Sequence, residues 1–268
     1  VNRVLTFATM GTVVSLRGAS PAAAAAVRAV FAGYDHRYSL YDPSSVLSRV
    51  ADGSLRLTEA PTEVRDVYAL ALDWRERTGG AFTPHRPDGV VDLSGVVKAL
   101  AIQDAGAVLD AAPPEDDPDG ADDDLPDGWM ISAGGDVLAR GHHRPDESWS
   151  VGVVDPGRRD TVVGIVRLDA PRRAVATSGT AERGEHIWRR AVPTFVQATV
   201  IADDVVTADV LATAVVAGDE DDLRRLTNDA DVDVLAFAAD GTVWATPGAA
   251  GTVTAGDDAA SARVLGRR

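Results

Sequence analysis

From Trp129 onward the chain reads as six short apolar runs, WMISA (129–133), VLARG (137–141), WSVGVV (149–154), VVGIVRL (162–168), AVATS (174–178) and FVQATVI (195–201). Glycine, proline and aspartate turns separate them. Strands are thus gathered in one half of the chain and do not alternate with helices as βαβ units. The expected class is α+β, with mixed sheets and packed helices.

The rest of the chain frames this half. Residues 3–17 suit two short strands joined at Gly11, and Ala22 to Tyr41 carries a long alanine-rich helical pattern. A second helix is expected over 62–77, with Pro61 near its first turn and Gly79-Gly80 just past its end. Val90 to Leu93 reads as a short strand leading into a helix of about Ser94 to Leu109 that buries Val97, Leu100, Ala101 and Val108. A helix from about Val206 to Ala217, a shorter one around Leu223 to Thr227 and a hairpin turning at Asp240-Gly241 complete the pattern. We expect one domain over 1–268, with an acidic surface loop at about 111–128 and a loose tail at about 248–268. The loop holds eight acidic residues and four prolines, which favour solvation over packing.

A formal charge of −15 argues against a nucleic-acid partner, because a phosphate backbone needs a basic surface. A polyanionic ligand here would need a bound cation. The absence of cysteine removes disulfides, thiolate metal ligands, thiol nucleophiles and a lipid-anchoring cysteine. No run reaches the roughly 20 apolar residues of a membrane span, and the first ten residues lack a signal-peptide core. The residues given read as cytoplasmic, with an export signal ahead of Val1 left open.

Asp209 and Thr213 stand four apart, one turn from each other on the same helix face, and both are hard oxygen donors suited to Mg²⁺ or Ca²⁺. The same pair is also read as an aspartate favouring a helix N-terminus and a threonine bonding back to the preceding turn. Lys98 is the only lysine among 26 basic residues and lies six residues after Asp92, at a strand-to-helix junction. It reads either as a point charge for a phosphate or carbonyl oxygen of a ligand, or as a solvated helix residue. The five histidines show no zinc spacing, and no Gly-x-Ser-x-Gly, Walker or Rossmann fingerprint occurs. Gly134-Gly135-Asp136 and Ser178-Gly179-Thr180 each read as a tight turn.

Eight segments appear in the order of one known family: ATMGT (8–12), YSLYDPSSVLSRV (38–50), RTGGAFTP (77–84), VDLSGVVKALAIQDA (91–105), SAGGDVLARG (132–141), WSVGVVDP (149–156), AVATSGTAERGEHI (174–187) and VIADDVVTADVLATA (200–214). On these segments the chain resembles the ApbE-like FAD:protein FMN transferases. The resemblance implies an α+β fold that binds FAD as substrate, with Mg²⁺ on the pyrophosphate. It also implies transfer of FMN to a threonine hydroxyl of a partner flavoprotein, with release of AMP.

Carried over residue by residue, it implies metal ligation by Asp209, Thr213 and the Gly95 carbonyl, with Ala212 a lesser candidate. Flavin-contacting positions fall on Met10, Tyr41, Ala81, Phe82, Thr83, Asp92, Lys98 and Trp188. Asp92 is the candidate base or orienting group, and His186 the second candidate catalytic residue. Two departures stand out. Thr83 replaces the aspartate of the family's Gly-Gly-Ala-Phe-Asp-Pro, and the stretch 188–195 lacks the Asp and Gly of its usual loop. An FAD pyrophosphatase yielding FMN and AMP and a non-catalytic FAD-binding protein are the alternatives.

Overall fold

The computed structural model describes residues 4–112, 126–179, 194–252 and 263–266. The chain opens with the hairpin β1 (Leu5–Thr9) and β2 (Thr12–Arg17). Its two-residue turn places Met10 at φ 48° and Gly11 at φ 68°. Two successive positive φ values match the twist of the flanking strands, which is why a glycine stands at the tip. Three helices follow: α1 (Pro21–Tyr38), α2 (Val46–Ala51) and α3 (Thr62–Arg77). Ser20 and Ser45 cap the first two, accepting from Ala23 N–H and Ser48 N–H. Next come α4 (Ser94–Ala111), β3 (Gly128–Ala133), β4 (Asp136–Gly141), β5 (Trp149–Val154), β6 (Val162–Leu168), β7 (Ala174–Gly179) and β8 (Phe195–Ala202). The chain continues with α5 (Val205–Ala217), α6 (Glu220–Asp229), β9 (Asp233–Ala238), β10 (Val243–Ala245), α7 (Pro247–Ala250) and β11 (Arg263–Val264).

Among the described residues, nine strands form one sheet in the order β1-β2-β3-β4-β7-β8-β9-β10-β11, antiparallel except for the parallel pair β10–β11. The remaining two, β5 and β6, make a separate ribbon. The α+β class expected from the sequence is therefore the one found.

Both faces of the central strands are covered, and the period-two alternation of their side chains shows how. Ala174, Ala176, Val200, Val234 and Ala236 point to the helical side. Val137, Val175, Ile201, Leu235 and Phe237 point to the other side, where Trp149, Val153, Val166 and Leu168 of the ribbon meet them. Trp149 is 2 % exposed and donates its indole N–H to the Arg140 carbonyl at 3.2 Å, so its burial leaves no donor unsatisfied.

On the helical side α5 lies against β7, β8 and α4, while α4 also packs on α1. Buried residues occur all round α5, including Val205, Val206, Val210, Leu211, Val215 and Val216. Such a helix draws its stability from packing, at about 1.5–3 kcal/mol for each fully buried large side chain. Polar residues in this setting need partners, which focuses attention on those that α4 and α5 carry inward.

Several local expectations shift. The segment from Val90 to Leu93 is not a strand, since only Val91 forms a bridge, with His85. Leu100 and Val108 are partly buried, while Val96, Ile102, Ala105 and Leu109 are fully buried, because α4 is enclosed on more sides than one stripe allows. Ser178 and Gly179 belong to β7 and not to a turn, held by pairing with Ala198 and Gln197 of β8. Within the tail expected to be loose, α7 forms and β11 pairs with β10. Most of the acidic loop lies outside the described residues. Among the described residues, no helix is long and apolar enough to cross a membrane.

Candidate functional site

Three buried charged side chains converge where α4, α5 and the β3–β4 turn meet. Lys98 on α4 places its Nζ 2.6 Å from Asp136 Oδ2 and 4.0 Å from Asp209 Oδ1 of α5. It also donates to the Gly134 carbonyl at 3.4 Å. The turn is a two-residue loop, Gly134 at φ 54° and Gly135 at φ 91°, that pairs Ala133 with Asp136. Asp136 is therefore the first residue of β4, in a strand position that aspartate disfavours without a partner. Burying charges costs several kcal/mol per ion unless they are paired and bonded, so this grouping contributes little to stability for its own sake. Such a costly cluster suits a ligand site.

Thr213 follows one turn after Asp209, and its Oγ1 lies 3.1 Å from Ser178 Oγ on β7. Beside them, Thr177 and Thr199 hydroxyls meet at 2.9 Å, and Thr177 N–H donates to the Gly135 carbonyl at 3.1 Å. The end of β7 is thereby tied to the turn that carries Asp136. The N-terminus of α5 is capped by Asp204, whose carboxylate accepts from Thr207 N–H at 2.8 Å and Thr207 Oγ1–H at 2.7 Å. Asp209 is thus spared the capping role, and the Thr213 hydroxyl pairs across to a strand.

The N-terminal end of α4 gathers a second group. Phe82, 3 % exposed, packs so closely on Gly95 that a β-carbon there would lie 2.9 Å from its ring. The Phe82 N–H donates to Thr78 Oγ1 at 3.1 Å. Neighbouring Ala81 is also buried, and Thr83 Oγ1 accepts from His85 N–H at 3.3 Å. Asp92 is half-buried. Its N–H donates to the Pro84 carbonyl at 2.8 Å, and its Oδ1 accepts from Ser94 N–H at 2.9 Å in a local turn that leads into α4. Gly95 and Lys98 stand three apart on α4, so one helix face carries both groups.

The remaining candidates are dispersed. Met10 occupies the β1–β2 turn, partly buried against the main core. Tyr41, 87 % exposed, stands on the α1–α2 connection, where Thr9 and Asp42, the chain neighbours of Met10 and Tyr41, line a cleft of about 380 Å³ between β1 and α1. His186 and Trp188 lie outside the described residues. Among the described residues, no group of three or more His, Cys, Asp or Glu side chains could hold a metal. The oxygen donors gathered here are of another composition: the Asp209 carboxylate and the Thr213 and Ser178 hydroxyls. That all-oxygen set fits Mg²⁺, which takes few protein ligands and completes its shell with substrate phosphates and water.

Two members of the site escaped sequence reasoning. The sequence around Asp136 reads as a turn, and the signal of its role is its place just beyond the two glycines, at the head of a strand. The sequence around Ser178 reads likewise, and no local signal marks it.

A sequence model of the ApbE family matches residues 10–86 and 85–236. No curated protein sequence is significantly similar to the chain. Among solved structures, the chain resembles the flavin transferase ApbE from Vibrio cholerae, with a TM-score of 0.73 and 20 % identity over 94 % of this chain and 99 % of that one. A flavinyl transferase ApbE from Pseudomonas stutzeri in its apo form gives 0.70 and 19 %, covering 95 % of this chain and 97 % of that one. The ApbE protein from Thermotoga maritima gives 0.68 and 22 %, covering 90 % and 96 %. At these identities the likeness establishes the fold.

Proposed function

The chain belongs to the ApbE family, and from that premise we propose that it transfers FMN from FAD to a threonine hydroxyl of a partner flavoprotein. The solved structures of like fold that are named flavin or flavinyl transferases support this reading. The observation that carries it in this chain is the convergence of Lys98, Asp136 and Asp209 beside the Thr213–Ser178 hydroxyl pair.

In this reaction the acceptor hydroxyl oxygen attacks the FMN-side phosphorus of the pyrophosphate. The new P–O bond joins FMN to threonine, the bond to the bridging oxygen breaks, and AMP leaves with that oxygen. Little covalent work falls to the protein, so placement and charge neutralisation dominate. Asp209, Thr213 and the Gly95 carbonyl would hold Mg²⁺, which when bound draws charge from the phosphates. Lys98 offers its ammonium to the same pyrophosphate. Asp92 is the group to take the hydroxyl proton: Ser94 N–H fixes its Oδ1, leaving Oδ2 to accept.

Phe82, packed on Gly95 of α4, offers an aromatic surface to the flavin, and Ala81, Thr83, Met10, Tyr41 and Trp188 complete the proposed contacts. Thr83 puts a hydroxyl where the family carries a carboxylate, and that hydroxyl already accepts from His85 N–H. It meets the flavin side as a hydrogen-bond donor. His186 is the further proposed catalytic group.

The test is incubation of the chain with FAD, Mg²⁺ and a threonine-bearing acceptor peptide, following AMP, free FMN and peptide mass. Gain of FMN by the peptide with release of AMP is expected. AMP and free FMN with unmodified peptide would make the chain an FAD pyrophosphatase. Bound FAD without AMP would make it a carrier.

A further inference from the structure

Asp136 and Asp209 face one ammonium and do not share it equally. Lys98 Nζ sits 2.6 Å from Asp136 and 4.0 Å from Asp209, a close ion pair against a contact at the outer limit of one. Another contact of the ammonium, the Gly134 carbonyl at 3.4 Å, comes from the same turn as Asp136. That turn is itself anchored, through Gly135 to Thr177 N–H and through the pairing of Asp136 with Ala176. The Asp136 side chain is 0 % exposed, the Lys98 side chain 10 % and the Asp209 side chain 5 %. Asp136 is therefore the most deeply buried of the three.

We infer that Asp136 is a positioning residue acting through Lys98. It holds the ammonium on the β3–β4 side of the site, where it meets the FAD pyrophosphate, and keeps it from closing onto Asp209. A lysine head on its flexible stem, in surroundings of low dielectric, moves to the nearest carboxylate left to it. Without Asp136 that carboxylate, among the described residues, is Asp209 at 4.0 Å. The substrate phosphates then lose their cation, and Asp209 gives to an ammonium the oxygen it would give to a metal. The identity of the anion rests on the flavin reading above, while the placement of Lys98 by Asp136 rests on the distances alone.

The test is a binding cycle on the whole chain, with FAD dissociation constants measured by flavin fluorescence in buffer containing Mg²⁺. Asp136→Asn and Lys98→Met should each weaken FAD binding by at least about tenfold, as expected when a buried charged partner is lost. The double variant should bind within about threefold of Lys98→Met, because nothing is left to position. Asp136→Glu, which keeps the carboxylate, should recover most of the loss. A double variant about tenfold weaker than Lys98→Met would show Asp136 acting on its own and overturn the inference. So would an Asp136→Asn chain that binds FAD as the wild type does. Should Asp136→Asn fail to fold, the comparison of Lys98→Met with the double variant decides alone. A wild-type chain that binds no FAD refutes the flavin reading and the inference with it, whereas an indifferent Asp136→Asn beside a binding wild type refutes the inference only.

Discussion

The hydroxyls of Thr213 and Ser178 meet at 3.1 Å, joining the helix α5 to the strand β7 one turn beyond Asp209. The contact fixes the rotamer of a half-buried threonine and turns its oxygen toward the site. The same α5 is capped by Asp204, so the pair Asp209 and Thr213 is relieved of local duties at the helix start. A helix buried on almost every side has given two polar positions to one place.

Removal of the Thr213 hydroxyl tests this use. Thr213→Val keeps the shape of the side chain and loses one hydrogen bond, worth about 1 kcal/mol of stability. The melting temperature should fall by only about 2–4 °C for a chain of this size. FMN transfer should fall by at least about tenfold, as for the loss of one ligand or its support. Thr213→Ser, which keeps the oxygen, should recover most of the rate. A Thr213→Val chain with wild-type transfer kinetics would remove Thr213 from the site.

Gly95 lies under Phe82 with no space for a side chain, since a β-carbon would come within 2.9 Å of the ring. Gly95→Ala should therefore cost about 1–3 kcal/mol through overpacking and weaken FAD binding by displacing the ring. Adding Phe82→Leu should restore the melting temperature and leave FAD binding weak. Thermal denaturation and FAD titration on the three variants check both parts. Full recovery of FAD binding in the double variant would separate Phe82 from the flavin.

Acid dependence enters through Asp42, next to Tyr41. The Ser44 hydroxyl and then the Ser44 N–H donate to its carboxylate and hold its pKa below the usual aspartate value. A carboxyl whose pKa is lower folded than unfolded stabilises the fold above the unfolded value and loses that contribution as pH falls through the folded one. Asp42→Asn should flatten the fall of melting temperature with acid in that window and change the dependence near neutrality little. Identical acid slopes for the two proteins would show that the Ser44 contacts do not persist in solution.

The structure agrees with the sequence where local signals decide. The helix 62–77, the turn at Gly11 and the start of α5 within one residue of Val206 follow from proline, glycine and aspartate at punctuating positions. The central helices answer to tertiary packing instead. α4 is enclosed by α1, α5 and the sheet, so its buried residues spread beyond one stripe and periodicity misplaced Leu100 and Val108. Ser178 and Gly179 look like turn residues and lie in a strand because β8 bonds to them, a tertiary effect that overrides propensity.

The site divides in the same way. Asp209 with Thr213, or Phe82 with Gly95, falls within segments that a resemblance can align. The pairing of Lys98 with Asp136 brings together a helix and a distant hairpin, and nothing near either residue announces the other. Their meeting is a product of how α4 crosses the sheet.

Release of AMP from FAD in the presence of Mg²⁺, measured for the wild type and for Asp209→Ala, tests the central claim most directly. The variant should lose AMP release by at least about a hundredfold, the scale of removing a group that serves charge neutralisation in the transition state. AMP release at the wild-type rate from Asp209→Ala would contradict the account.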